Sequence, residues 1–148
     1  MAFYQASDSV VIQAPPQRVY EALTHWHERM IWRKGLALEW EGEEKAVIGQ
    51  KISARVQGFP AHVFEFQIIQ LEPPYRIFME YTGKPLKGRA GLEIIPDGSN
   101  SHLSFYWMKV EPVGFWCGLY FRLGLGLRAH RRETQESLRM LKEYLEKH

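Results

Sequence analysis

The sequence predicts an α+β fold, a curved antiparallel sheet of six or seven strands wrapped around a long C-terminal helix. Three observations lead there. Turn signals recur about every ten residues between alternating apolar and polar segments, as in an antiparallel meander. From Val113 to His148 the period becomes helical, with Trp116, Leu119, Tyr120, Leu123, Leu127, Leu138, Leu141 and Leu145 on one stripe. A sheet with one apolar face must bury it, and a helix about 50 Å long at 1.5 Å per residue crosses a whole small domain.

The elements follow in order. Phe3 to Ile12 reads as a strand, stopped by Ala14-Pro15-Pro16, and a proline suits the first turn of a helix. Val19, Tyr20, Ala22 and Leu23 give that helix an apolar face; His25 to Trp32 forms a second short helix, ended at Lys34-Gly35. Leu36 to Trp40 is the second strand, and Gly42 to Lys45 a polar loop. Ile52, Ala54 and Val56 alternate with Lys51, Ser53, Arg55 and Gln57 up to a turn at Gly58-Phe59-Pro60. His62, Phe64, Phe66 and Ile68 then share one strand face. After Pro73-Pro74, Tyr75, Ile77, Met79 and Tyr81 share another, before a turn at Gly83-Lys84-Pro85. Leu86 to Ile95 is a strand closed by Pro96-Asp97-Gly98. His102 to Val110 is the last, with Phe105 and Trp107 read as inward and His102 and Tyr106 as outward.

The closing helix breaks its own pattern. His130, Thr134 and Ser137 stand on the inward stripe where leucines are expected, and Phe121 and Leu125 stand on the outer side where charges are expected. Phe115 and Cys117 flank that outer patch. Gly118, Gly124 and Gly126 each cost about 1 kcal/mol against alanine in a helix, so a bend, a split or a close backbone contact is expected there. On the polar face Arg132 and Glu136, and Arg139 and Glu143, stand four apart, the spacing of helical ion pairs.

A length of 148 residues suits a single domain over 1–148, and a net charge of +2 is too small to argue for nucleic acid. The lone Cys117 excludes an internal disulfide framework and a cysteine zinc site. The opening MAFYQASDSV has no basic segment followed by an apolar run, and no apolar stretch reaches membrane-spanning length, so a soluble cytoplasmic protein is expected. Aromatics reach 14%, which fits either a bulky core or an aromatic-lined cavity.

Several short motifs run in order along the chain: Val10-Val11-Ile12, Ala14-Pro15-Pro16-x-x-Val19-Tyr20-x-x-Leu23, and Trp32-x-x-Gly35. A strand-opening Gly49, Ile68-Ile69-x-Leu71-x-Pro73-Pro74-x-Arg76 and a terminal Leu138-x-x-Leu141-Lys142 complete the set. Together with the order strand, two short helices, about six strands and long helix, they resemble the START-like (SRPBCC) superfamily, especially its polyketide cyclase/dehydrase and lipid-transport branch. The resemblance implies the helix-grip fold and a deep cavity between sheet and helix that takes lipids, polyketides or other apolar molecules. The matched motifs build the fold and none is catalytic, so the resemblance implies a cavity rather than a reaction.

The candidate cavity walls are Phe64, Phe66, Met79 and Tyr81 on the inner strands, Phe105 and Trp107 on the last strand, and Leu123, Leu127, His130, Thr134 and Ser137 on the helix. His130 is the candidate acid/base if a reaction occurs, aided by a pocket tyrosine, with His62 or Arg55 as further titratable groups; a core histidine bonded to a carbonyl is the plain alternative. Thr134 and Ser137 suit ligand contacts or bonds to their own helix carbonyls. His25 and His27 lack the further ligands a metal site needs, Cys117 lacks the neighbours that activate a thiol, and Gly124-Leu125-Gly126 is no phosphate loop, so neither metal nor cofactor is expected. Three functions compete. They are a carrier or sensor of a small apolar ligand, a cyclase/dehydratase-type enzyme using His130, and a homodimer or membrane-surface protein using Phe121 and Leu125. The carrier needs the fewest special groups.

Overall fold

The structure, a computed structural model, describes residues 3–57, 62–83 and 85–147. The expected turns at Gly58-Phe59-Pro60 and at Lys84, and the side chain of His62, lie outside the described residues. The chain runs β1 (Tyr4–Ile12), α1 (Pro16–Thr24), α2 (Trp26–Trp32), β2 (Leu36–Trp40), β3 (Lys51–Val56), β4 (His62–Glu72), β5 (Arg76–Tyr81), β6 (Leu86–Asp97) and β7 (Asn100–Pro112). It ends in α3 (Phe115–Arg122) and α4 (Leu125–Lys147). Among the described residues the strands form one seven-stranded sheet in the order β1-β7-β6-β5-β4-β3-β2, antiparallel throughout. The meander expected from the turns is β2 to β7. β1 pairs with β7, and α1 and α2 carry the chain from that edge to the other. This is the helix-grip arrangement.

Bulges curve the sheet. Ile69 is an extra residue in β4 against β5, and the register of β7 shifts near Met108 against both β1 and β6. An extra residue bends a strand and turns the side chains beyond it to the other face. Leu103, Phe105 and Trp107 therefore point inward by simple alternation, and the next deeply buried position is Val110 rather than residue 109. The inward choice of Phe105 and Trp107 agrees with this geometry.

Ion pairs and hydrogen bonds fix α1 and α2 against the rest. Arg18 Nη2 meets Glu28 Oε2 at 2.6 Å, and Tyr144 of α4 donates to the same oxygen at 2.8 Å. The Trp32 indole donates to Ala22 O at 2.9 Å, and the Trp26 indole to Gln50 Oε1 at 3.2 Å. Gln50 in turn donates to the carbonyls of Glu41 and Glu43, so the loop after β2 is tied to α2 through one buried amide.

The closing segment departs from a single helix. It splits into α3 and α4 at Leu123-Gly124, where Gly124 has φ +81°. An L-residue enters that left-handed region at a steric penalty that glycine avoids. A stripe drawn at constant rotation does not survive such a break. Trp116 and Leu123, expected inward, are 77% and 65% exposed. Phe121, expected on an outer patch with Leu125, is 6% exposed and packs against Tyr4 at 5.0 Å and Trp107 at 6.1 Å between ring centroids. Leu125 stays exposed, so the patch proposed for a homodimer or membrane contact loses Phe121, its principal member.

The glycines divide by role. A side chain at Gly126 would meet the Phe121 ring at 2.4 Å, so the expected close approach is real but comes from a ring rather than a backbone. Gly118 faces open space and marks neither a bend nor a contact. Arg139 pairs with Glu143 as expected, but Glu136 turns to Arg139 rather than to Arg132. Among the described residues no helix is long and apolar enough to cross a membrane.

Candidate functional site

Between the concave face of the sheet and the helices lies a cavity of about 510 Å³, within the range of small-molecule sites. Alternation on β4 and β5 turns Phe64, Phe66, Met79 and Tyr81 into it, and the phase of β7 adds Phe105 and Trp107. Helix α4 contributes His130, Thr134 and Ser137 from consecutive inward turns. Nine of the eleven residues expected at the walls thus meet around one space. Leu123 and Leu127 do not. Leu123 lies at the helix break in solvent, and Leu127 is half-buried against the core without reaching the cavity. Arg55 alternates onto the exposed face of β3 and takes no part.

His130 stacks on the Trp107 indole with centroids 3.5 Å apart and planes 22° from parallel. Its Nε2 stands 3.5 Å from Thr134 Oγ1, a long contact across one helical turn. Burial pushes its pKa down from the usual 6.5 to about 4, with Asp8 opposing the shift and Arg131 reinforcing it. The ring is therefore a neutral imidazole at pH 7. Among the described residues no backbone carbonyl bonds to this ring.

Ser137 is occupied by the protein itself. Its Oγ accepts from Arg33 Nε at 2.8 Å and donates to Glu133 Oε1 at 3.0 Å. Arg33 and Glu133 close a bidentate ion pair, with Nη2 2.5 Å and 2.6 Å from the two carboxylate oxygens. Cys117 reaches the cavity edge with its thiol toward Pro85 O at 3.5 Å, and burial raises its pKa, the state of an unreactive thiol. Tyr81 accepts from Trp107 Nε1 at 3.1 Å, and burial pushes its pKa up to about 12.

Sequence reasoning missed Arg29, Arg33 and Glu133, all at the cavity. For Glu133 a signal existed, because it stands three residues after His130 and four before Ser137 on the same helix sector. The two arginines carried none. They sit on or just after a short helix, where a long side chain reaches in either direction.

The comparisons agree with this architecture. Solved structures that resemble the chain include a protein of Thermus thermophilus, at TM-score 0.74 and 14% identity over 96% of this chain and 97% of that one. A protein of Chromobacterium violaceum matches at TM-score 0.66 and 21% identity over 97% and 98% of the two chains. The Aha1 dimer from Colwellia psychrerythraea matches at TM-score 0.67 and 16% identity over 96% of each. At such identities the likeness shows the fold. No curated protein matches the chain. The family described as polyketide cyclase / dehydrase and lipid transport matches residues 5–146. With nearly the whole chain covered and the helix-grip fold in place, the chain belongs to the polyketide cyclase/dehydrase and lipid-transport family of the START-like superfamily.

Proposed function

We propose that the protein binds one small hydrophobic molecule in the cavity between the sheet and α4, and carries or senses it without transforming it. The observation that carries this reading is the state of the polar groups around an otherwise apolar space. A general acid or base works best with a pKa near the operating pH. His130 lies well below neutrality and Tyr81 well above it. Ser137 and Glu133 are held by Arg33. A carrier needs none of these groups to react. Phe64, Phe66, Met79, Tyr81, Phe105, Trp107, His130 and Thr134 are the proposed contacts.

The test has two steps. Native mass spectrometry of the freshly purified chain should show a copurifying small molecule, or saturable uptake from a panel of apolar ligands. The bound molecule, recovered after prolonged incubation, should have unchanged mass and spectrum. Recovery of a cyclised or dehydrated product would replace the carrier with the enzyme that uses His130 as acid/base. Absence of any saturable ligand would remove both readings.

A further inference from the structure

Two cationic side chains reach the cavity from the α2 region, and only one is neutralised. Arg33 has Glu133. Arg29 is half-buried overall, with its Nε enclosed, and it lines the cavity. Its Nη1 donates to Leu23 O at 3.3 Å, and its buried Nε meets no acceptor. Among the described residues no carboxylate pairs with it. A buried charge without a counter-ion is strongly unfavourable, and this one does not escape by losing its proton. Burial and the neighbouring Arg33 push its pKa only down to about 10, so the guanidinium stays charged at neutral pH.

Tyr81 repeats the pattern. Its oxygen accepts from Trp107, but its own O–H finds no acceptor among the described residues. Tyr81 and Arg29 both line this one cavity. Counting the lining residues, two arginines against one glutamate, with His130 neutral, leave an excess of one positive charge. The polar capacity left over is donor capacity from a fixed cation and a hydroxyl. That is the complement of an anionic oxygen.

We propose that the cavity's ligand is an apolar organic acid whose carboxylate or comparable oxyanion is bound by the Arg29 guanidinium and the Tyr81 hydroxyl. Its apolar body lies along the aromatic wall of Phe64, Phe66 and Trp107. The inference rests on the reading of the cavity as a ligand site and adds the chemical class of the occupant.

Two dyes of one skeleton test it, anilinonaphthalene sulfonate and the uncharged phenylnaphthylamine, titrated by fluorescence into the full chain. The wild type should bind the sulfonate roughly ten- to a hundredfold more tightly, the weight of a charge-assisted hydrogen bond. Arg29→Met should abolish that preference, leave the neutral dye within about twofold, and melt at the same temperature or higher, since it removes an unpaired buried charge. Arg29→Lys should keep part of the preference. The wild-type preference needs no substitution, so it stands even if a variant fails to fold. Displacement of the neutral dye by dodecanoate or naphthoate, each against its methyl ester, tells an alkyl from an aromatic body, and either acid should outcompete its ester. Equal wild-type affinity for the two dyes, esters that compete as well as acids, or an undiminished preference in Arg29→Met would overturn the acid ligand while leaving the cavity reading intact. Binding of neither dye would defeat the cavity reading, and this inference with it.

Discussion

Replacing His130 with leucine should change the pH dependence of stability more than stability itself. At pH 7 the variant loses a stacked ring worth about 0.5–1.5 kcal/mol and gains aliphatic burial of roughly the same size or more. Its melting temperature should equal or exceed that of the wild type. On acidification the two proteins should part. The folded-state pKa of His130 is about 4, against 6.5 for the free group. Between those values the unfolded chain takes up a proton that the fold refuses, so wild-type stability falls as pH drops through that window. At 1.36 kcal/mol per unit the loss from pH 7 to pH 5 is about 2 kcal/mol for a fully desolvated ring, and about 1.5 kcal/mol with screening by water in the cavity. The carboxylates of Glu28, Glu136 and Glu146 are held below their ordinary range by their partners. Their contribution to stability is lost only as pH falls through and below the ordinary carboxylate range, and it is common to both proteins. Urea denaturation of wild type and His130→Leu at pH 7, 6 and 5 reads the difference directly. Parallel stability profiles would show that His130 is not a neutral, desolvated imidazole and would refute the reasoning.

Three further outcomes are expected. Leu141 is fully buried, so Leu141→Ala should lower unfolding free energy by about 2–5 kcal/mol in a denaturant titration. Gly126→Val should lose roughly 1–3 kcal/mol by driving a side chain into the Phe121 ring, whereas Gly118→Ala, facing open space within a helix, should gain about 0.5–1 kcal/mol; thermal melts of both compare them. Glu133→Gln leaves the buried Arg33 without a counter-charge and should cost about 3 kcal/mol, while the double change Arg33→Met, Glu133→Leu should recover most of that loss by the same measurement.

The meander could be read from the spacing of the turns, and the inner faces of β5 and of β4 and β7 ahead of their bulges from period-two alternation. The pairing of β1 with β7 carried no such signal. His130, Thr134 and Ser137 stood out as polar intrusions on an apolar stripe, a local signal that needs no tertiary knowledge. What failed was continuity. The inward assignment of Trp116 and Leu123 and the outward one of Phe121 carried a single rotation across Gly124, where the backbone resets it. Arg29 was invisible for another reason. Its significance lies in a buried Nε without an acceptor and in having no carboxylate partner among the described residues, and both are properties of the folded interior alone.

The position of Phe121 has a thermodynamic consequence. Its ring meets Tyr4 and Trp107, fastening α3 to the sheet, and also forms part of the cavity wall. Any molecule that fills the space beside it adds attraction to the same fastening. Occupancy and the docking of α3 are then two linked equilibria, and linkage is reciprocal. By whatever factor a ligand tightens the seat of α3, an agent that draws α3 away from the sheet loosens the ligand equally.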